Sequence, residues 1–217
     1  MLASKIIDRV KEVLQDANSV TWTEAQLIEW LNDAQRAVVS ERPDATSITE
    51  SMALVSGTKQ LLPAGGSKLL KVVRNMGTDG ATPGRAIKLV DQDTLDENSP
   101  DWHADTSAAV IKAYVFNEST DPKVFYVTPP SDASSQIEIA YSKNPADVAA
   151  TTDETSVPDI YGPALIEWMC YRAFSRESIN TPNYQRGLNH QKTFFNLLGV
   201  KMQADLAYRP AVGSEAG

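Results

Sequence analysis

At 217 residues, 42% hydrophobic and 22% charged, the chain can bury one substantial core or two small ones and has the balance of a globular protein. Its net charge of −8 and pI near 4.8 exclude a sequence-reading nucleic-acid binder, which carries a basic stripe. A single cysteine, Cys170, rules out an internal disulfide, and no apolar run approaches the ~18 residues of a membrane span.

The N-terminus has charges interleaved with aliphatics at helical spacing rather than a signal peptide's apolar block. It predicts a helix over 2–17 that buries Leu2, Ile6, Val10, Val13, Leu14 and Ala17, and ends at Asn18-Ser19. A second helix starts at Thr23, a natural N-cap. Gln26 completes a capping box, and Trp22 is placed to staple onto Leu27. It runs to about Arg42 with Leu27, Trp30, Leu31, Ala34 and Val38 inward, and Pro43 stops it. From Thr46 the period falls towards two. Strands are expected at 52–55, 59–62, 69–76, 86–90, 110–116, 124–127 and 136–142, with turns at 63–66, 77–80, 121–122 and 129–130. The runs VIKAYVF and VFYV read as a hairpin, and 92–109 as a long loop or short helical turn anchored by Trp102.

Residues 144–157 are small and polar and read as a linker. The segment 158–177 is the axis of the chain. At helical spacing Tyr161, Leu165, Trp168 and Tyr171 make one stripe, and Ile166, Met169, Cys170, Ala173 and Phe174 a second. A helix apolar over most of its circumference is buried on more than one side, by its own domain or by a neighbouring copy. Thr181-Pro182 then opens a last helix that buries Tyr184, Leu188, Phe195, Leu198 and Met202. The expected fold is α+β: a helical bundle from N- and C-terminal segments with an antiparallel, sandwich- or barrel-like β insertion. The divisions are 1–45, 46–143, 144–157, 158–203 and a C-terminal arm at 204–217. Charge is uneven along this order: 1–157 holds 14 basic against 23 acidic residues, and 158–217 six against five.

Chemistry is scarce. Asp91-Gln92-Asp93-Thr94 after a hydrophobic run has the form of the nucleophile motif of metal-dependent phosphatases, in which Asp91 would attack phosphorus and Asp93 act as acid/base. That reading needs a parallel α/β sheet and a later acidic pair, whereas short antiparallel-looking strands surround it. A solvated acidic turn is the better reading. The 77–85 loop lacks the Gly-Lys-Ser/Thr of a phosphate cradle, and His103 and His190 have no partners at metal-ligand spacing. No catalytic residue, cofactor or metal is assigned. Arg172, Arg176, Arg186, Lys192 and Lys201 are spread around two helices, as solvated or paired charges.

Four phrases carry a resemblance: TWTEAQLIEWLNDAQRAVVSERPDA (21–45), VRNMGTDGATPGRAIKLVDQDTLDENSPDWH (73–103), VFYVTPP (124–130) and VPDIYGPALIEWMCYRAFSRE (157–177). In this order the chain resembles the head-to-tail adaptor proteins of tailed bacteriophages, especially short-tailed ones, over roughly 21–201. The resemblance implies a structural, non-enzymatic virion protein of the neck, made in the host bacterial cytoplasm. It implies a ring, typically a dodecamer, that binds the portal protein above and the tail tube or nozzle below. DNA would pass through the ring without sequence-specific binding, and no membrane is involved. On this reading Tyr161, Leu165, Ile166, Trp168, Met169 and Phe174 form the subunit interface. The arm docks on the portal through Lys201, Asp205, Leu206, Tyr208, Arg209 and Pro210. The alternatives are the phosphatase-like hydrolase on Asp91 and Asp93, and another tail-completion protein.

Overall fold

The structure, a computed structural model, describes residues 1–176 and 182–207. The chain divides into two compact units: 1–42 with 145–217, and 43–144 between them. It is an α+β protein, with helices at both ends and a β insertion, as the change of period predicts.

In the helical unit, α1 (Ala3–Leu14) buries Ala3, Ile6, Ile7 and Val10. The face is turned from the expected one: Ile7 is inside, while Leu2 and Val13 are exposed. Gln15, in the left-handed region, ends α1, and Asp16 then organises the turn. Its carboxylate accepts from the backbone N–H groups of Val20 (2.7 Å), Thr21 (3.0 Å) and Trp22 (2.8 Å). α2 (Glu24–Glu41) starts with both halves of the Thr23–Gln26 capping box formed, and Leu27, Trp30, Leu31, Ala34 and Val38 are buried. Trp22 packs edge-on against Trp30, with centroids 5.2 Å apart.

The segment read as a linker is bound along its length to the helical unit. Ala3 and Ser4 donate to the carbonyls of Asp153 and Thr151, each at 2.9 Å. The Asn32 side chain takes Val148 like a strand partner: its Nδ2 donates to the carbonyl (3.0 Å) and its Oδ1 accepts from the amide (2.8 Å). Gln35 accepts from Ser156, and Val148 and Val157 are buried. The small residues and Asp147 and Asp153 that give the segment its loop composition are those of a strap held by hydrogen bonds.

The insertion is a sandwich of two four-stranded sheets. Its strands are β1 (Ser47–Ala53), β2 (Gly57–Leu61), β3 (Gly66–Met76), β4 (Pro83–Ala86), β5 (Lys88–Leu89), β6 (Ala113–Val115), β7 (Val124–Ser131) and β8 (Gln136–Lys143). The sheets run β1-β8-β3-β4 and β2-β7-β6-β5, antiparallel except for the short β5–β6 pair. Leu69, Val72, Ile137, Ile139 and Tyr141 of the first sheet meet Tyr114, Phe125 and Val127 of the second in one core. The expected VIKAYVF/VFYV hairpin is the antiparallel β6–β7 pair. β7 continues through Pro129-Pro130, where a turn was expected, with a cis Thr128–Pro129 bond. Between β5 and β6, α3 (Gln92–Asn98) and a 3-10 turn (Trp102–Ala104) bring in Trp102, 1% exposed, whose Nε1 donates to Asp96 at 2.7 Å.

A 3-10 turn (Asp159–Tyr161) leads into α4 (Gly162–Phe174), and α5 (Pro182–Ala207) completes the helical unit. α4 is its centre: it packs on α1, α2 and α5.

Candidate functional site

The six residues expected at a subunit interface lie on α4 and the turn before it, and the subunit's own helices cover most of them. Leu165 and Met169 are fully buried, and Tyr161 and Phe174 nearly so. Ile166 and Trp168 are half-buried. Towards α5, Trp168 lies against Phe194 with centroids 4.8 Å apart, and Phe174 stacks on His190 at 5.5 Å. Glu167 Oε2 is 2.7 Å from His190 Nδ1, and the Arg186 guanidinium sits 4.7 Å over Phe174. Gly187 lies where a Cβ would come within 3.2 Å of Phe174 Cβ, a tight contact, so the close approach of α5 to α4 favours glycine there. Cys170 is buried in this core, as expected of a packing cysteine. Burial, with Glu167 adding to it, pushes its thiol up to about 12. The apolar circumference of α4 is thus filled from within the chain.

The second predicted group divides. Lys201 and Asp205 belong to α5, which extends past the expected end at 203, and both bind their own unit. The Lys201 ammonium lies 5.6 Å over the Tyr161 ring and 3.0 Å from Asp205. The Asp205 carboxylate also takes the largely buried Arg42 guanidinium at 2.6 Å. Those hydrogen bonds, Arg42's first and then Lys201's, hold the Asp205 carboxyl below its ordinary range. Tyr208, Arg209 and Pro210, the side chain of Leu206 and the expected cap Thr181 lie outside the described residues.

The face of α5 turned away from α4 departs most from expectation. Leu188, Phe195 and Met202 were expected inside with Leu198. They are 38%, 44% and 49% exposed, while Phe194 and Leu198 are buried. The reason is angular. Positions 187, 190, 191, 194 and 198 share one face, and 188, 195, 199 and 202 form a row about 95° round the helix from it. A polar-looking Gly-His-Gln inner face hid this offset, since Gly187 and His190 do the packing that apolar residues would be expected to do. The i, i+7, i+14 spacing of Leu188, Phe195 and Met202 was the available signal.

The remaining chemical candidates sit in the β unit. Asp91 caps α3: its Oδ2 accepts from the Thr94 amide (3.2 Å) and hydroxyl (3.4 Å). Asp93 is exposed in the first turn, and the preceding strand is only the two-residue β5. His103 stacks on Trp102 at 3.6 Å, and its Nδ1 is 2.8 Å from Thr58 Oγ1. An open cleft of 520 Å³ borders His103, Tyr126, Lys59 and Asn117. Among the described residues no cluster of His, Cys, Asp and Glu has the form of a metal site. Nor is any described helix long and apolar enough to cross a membrane. Asn75, which sequence reasoning missed, is a structural side chain at the centre of this unit. Its amide donates to the carbonyls of Ile111 (2.7 Å) and Arg85 (2.9 Å) and accepts from the Ile111 N–H (2.8 Å).

Compared with known proteins, the chain matches the family model described as SU10 adaptor protein over residues 1–214. No curated protein matches it.

Proposed function

The chain belongs to the SU10 adaptor protein family, and from that premise we propose that it is a structural head-to-tail adaptor of a tailed bacteriophage, of the short-tailed type. Its copies form a ring, a dodecamer by resemblance, between the portal protein and the tail tube or nozzle. The ring lines the channel through which DNA leaves, and the protein resides in the virion neck. The observation that carries the reading is the match across both units, 1–214. Two features of the chain support it. The charge of −8 gives a channel wall that phosphates slide past without sticking. Of the polar side chains that could suggest chemistry, Asp91, Asp96, His103 and His190 hold neighbouring structure, and Asp93 lies exposed in the first turn of α3.

In this reading the portal-docking arm begins beyond Ala207, because Lys201 and Asp205 hold α5 to Tyr161 and Arg42. Tyr208, Arg209 and Pro210 are its candidate anchors. The test is co-migration with portal rings of the same virus in size-exclusion chromatography with mass determination, comparing the full chain with one ending at Ala207. Joining of the full chain in about one copy per portal subunit, as symmetry matching requires, supports the adaptor. Loss of joining on truncation supports the arm. Binding by both chains moves the docking surface elsewhere, and binding by neither removes the adaptor reading.

A further inference from the structure

α5 contains two glycines inside the helix, where glycine is destabilising relative to alanine. Gly187 is accounted for within the subunit by the approach of α5 to Phe174. Gly199 is not. A Cβ built there meets nothing within 4 Å, so the subunit's own packing gives no reason for it. Gly199 lies in the outward row with Leu188, Phe195 and Met202, in the interval between the two largest exposed side chains. A glycine flanked by apolar knobs on an open helix face is what close approach of a second helix requires.

Charge indicates whose helix it is. α5 carries Arg186, Lys192 and Lys201 against Asp205, a net of +2 in a chain of net −8. The rest of the helical unit, 1–42 with 145–181, holds 7 basic and 13 acidic residues. Lys192 lies beside the apolar row and is exposed. Arg186 and Lys201 are engaged inside the subunit, on Phe174 and on Tyr161 and Asp205, so Lys192 is the cation beside the row. A head-to-tail contact sets it against the acidic remainder, whereas an α5–α5 pairing offers it a second net-positive helix. We propose that the row Leu188–Phe195–Gly199–Met202 is the surface by which α5 of one copy packs on the helical unit of a second copy, head to tail. The ring seam is then α5, in place of the α4 residues. This inference rests on the ring reading above.

The experiment is sedimentation velocity of the full chain over a concentration series, alone and with portal rings, for wild type, Phe195→Glu, Gly199→Leu and Lys192→Glu. Far-UV circular dichroism and melting temperature confirm folding. Phe195→Glu and Gly199→Leu should weaken association of copies by about tenfold or more, as loss of a central interface contact does. Lys192→Glu, a fully surface change, should weaken it less but in the same direction and in a salt-dependent way. Folded variants that associate like wild type overturn the seam and leave the ring. A wild type that stays monomeric in both settings overturns the ring and the seam with it. Phe195→Cys tests the arrangement, since Cys170 is buried: a disulfide joining two α5 helices would overturn the head-to-tail contact.

Discussion

Replacing Asn75 with alanine tests how the β unit holds its central polar group. Asn75 is 5% exposed and Ile111 fully buried, and the side-chain amide satisfies both the N–H and the C=O of Ile111. The third bond, to the carbonyl of the exposed Arg85, is replaceable by water. Alanine therefore orphans two buried backbone groups, each costing about 1–3 kcal/mol, for a total of about 2–6 kcal/mol. Hydrogen exchange read by mass spectrometry on peptides from β3, β6 and β8, with α2 as an internal control, isolates the unit. A loss of about 2 kcal/mol appears as roughly thirtyfold faster exchange in the β peptides. Asn75→Asp keeps the acceptor for the Ile111 N–H but buries a carboxylate facing two carbonyls, and should be at least as damaging. If Asn75→Ala leaves β8 exchange unchanged, water has taken over the bonds and the argument fails.

Three further outcomes are expected. Thr23→Ala removes the side-chain half of the capping box, and should cost about 1 kcal/mol and speed exchange in the first turn of α2; an unchanged Gln26 amide would count against it. Three backbone bonds, that of Trp22 foremost and those of Val20 and Thr21 with it, hold the Asp16 carboxyl below its ordinary range against the opposing effect of burial. Its stabilisation is therefore present above pH about 4 and lost as the pH falls through the lower, folded value. Asp16→Asn should melt lower than wild type at pH 7 and converge with it in acid, and parallel pH profiles would refute this. Cys170, its thiol pushed up to about 12, should ignore a thiol-specific chromogenic reagent at pH 8 until denaturant unfolds the helical unit; prompt labelling of native protein would show that α4 is not closed.

Local chemistry was legible where one segment determines it. Thr23-x-x-Gln26 made its capping box, and the drop in period at Thr46 marked the β insertion to within a few residues of its start at Pro43. Trp102 could be named as an anchor because a lone large aromatic in a polar loop has few other roles. What failed depends on partners distant in sequence. The 145–157 strap looks like a linker because its bonds come from Asn32, Gln35 and the backbone of α1, more than a hundred residues away. β7 crosses two prolines because β2 and β6 flank it at other positions.

Helices α4 and α5 show why circumference alone does not locate an interface. Both offered more apolar positions than one helical contact consumes; for α4 the periodicity left its own domain and a neighbouring copy open, and the resemblance to a ring-forming family favoured the copy. Inside the subunit α4 has α1 and α2 as well as α5 against it, so three contacts absorb most of its apolar surface and leave Ile166 and Trp168 half-buried. α5 has α4, and its outward row is left over. A central helix can afford apolarity all round, whereas a peripheral one with a second row has a face to cover. This difference bears on the order of assembly. If the seam lies on α5 as proposed above, the α4 core closed inside one chain lets the subunit fold before it meets a neighbour, and the seam is added without opening that core. Disrupting Phe195 should then spare the melting temperature of the subunit and remove only association, whereas disrupting Leu165 should lose both.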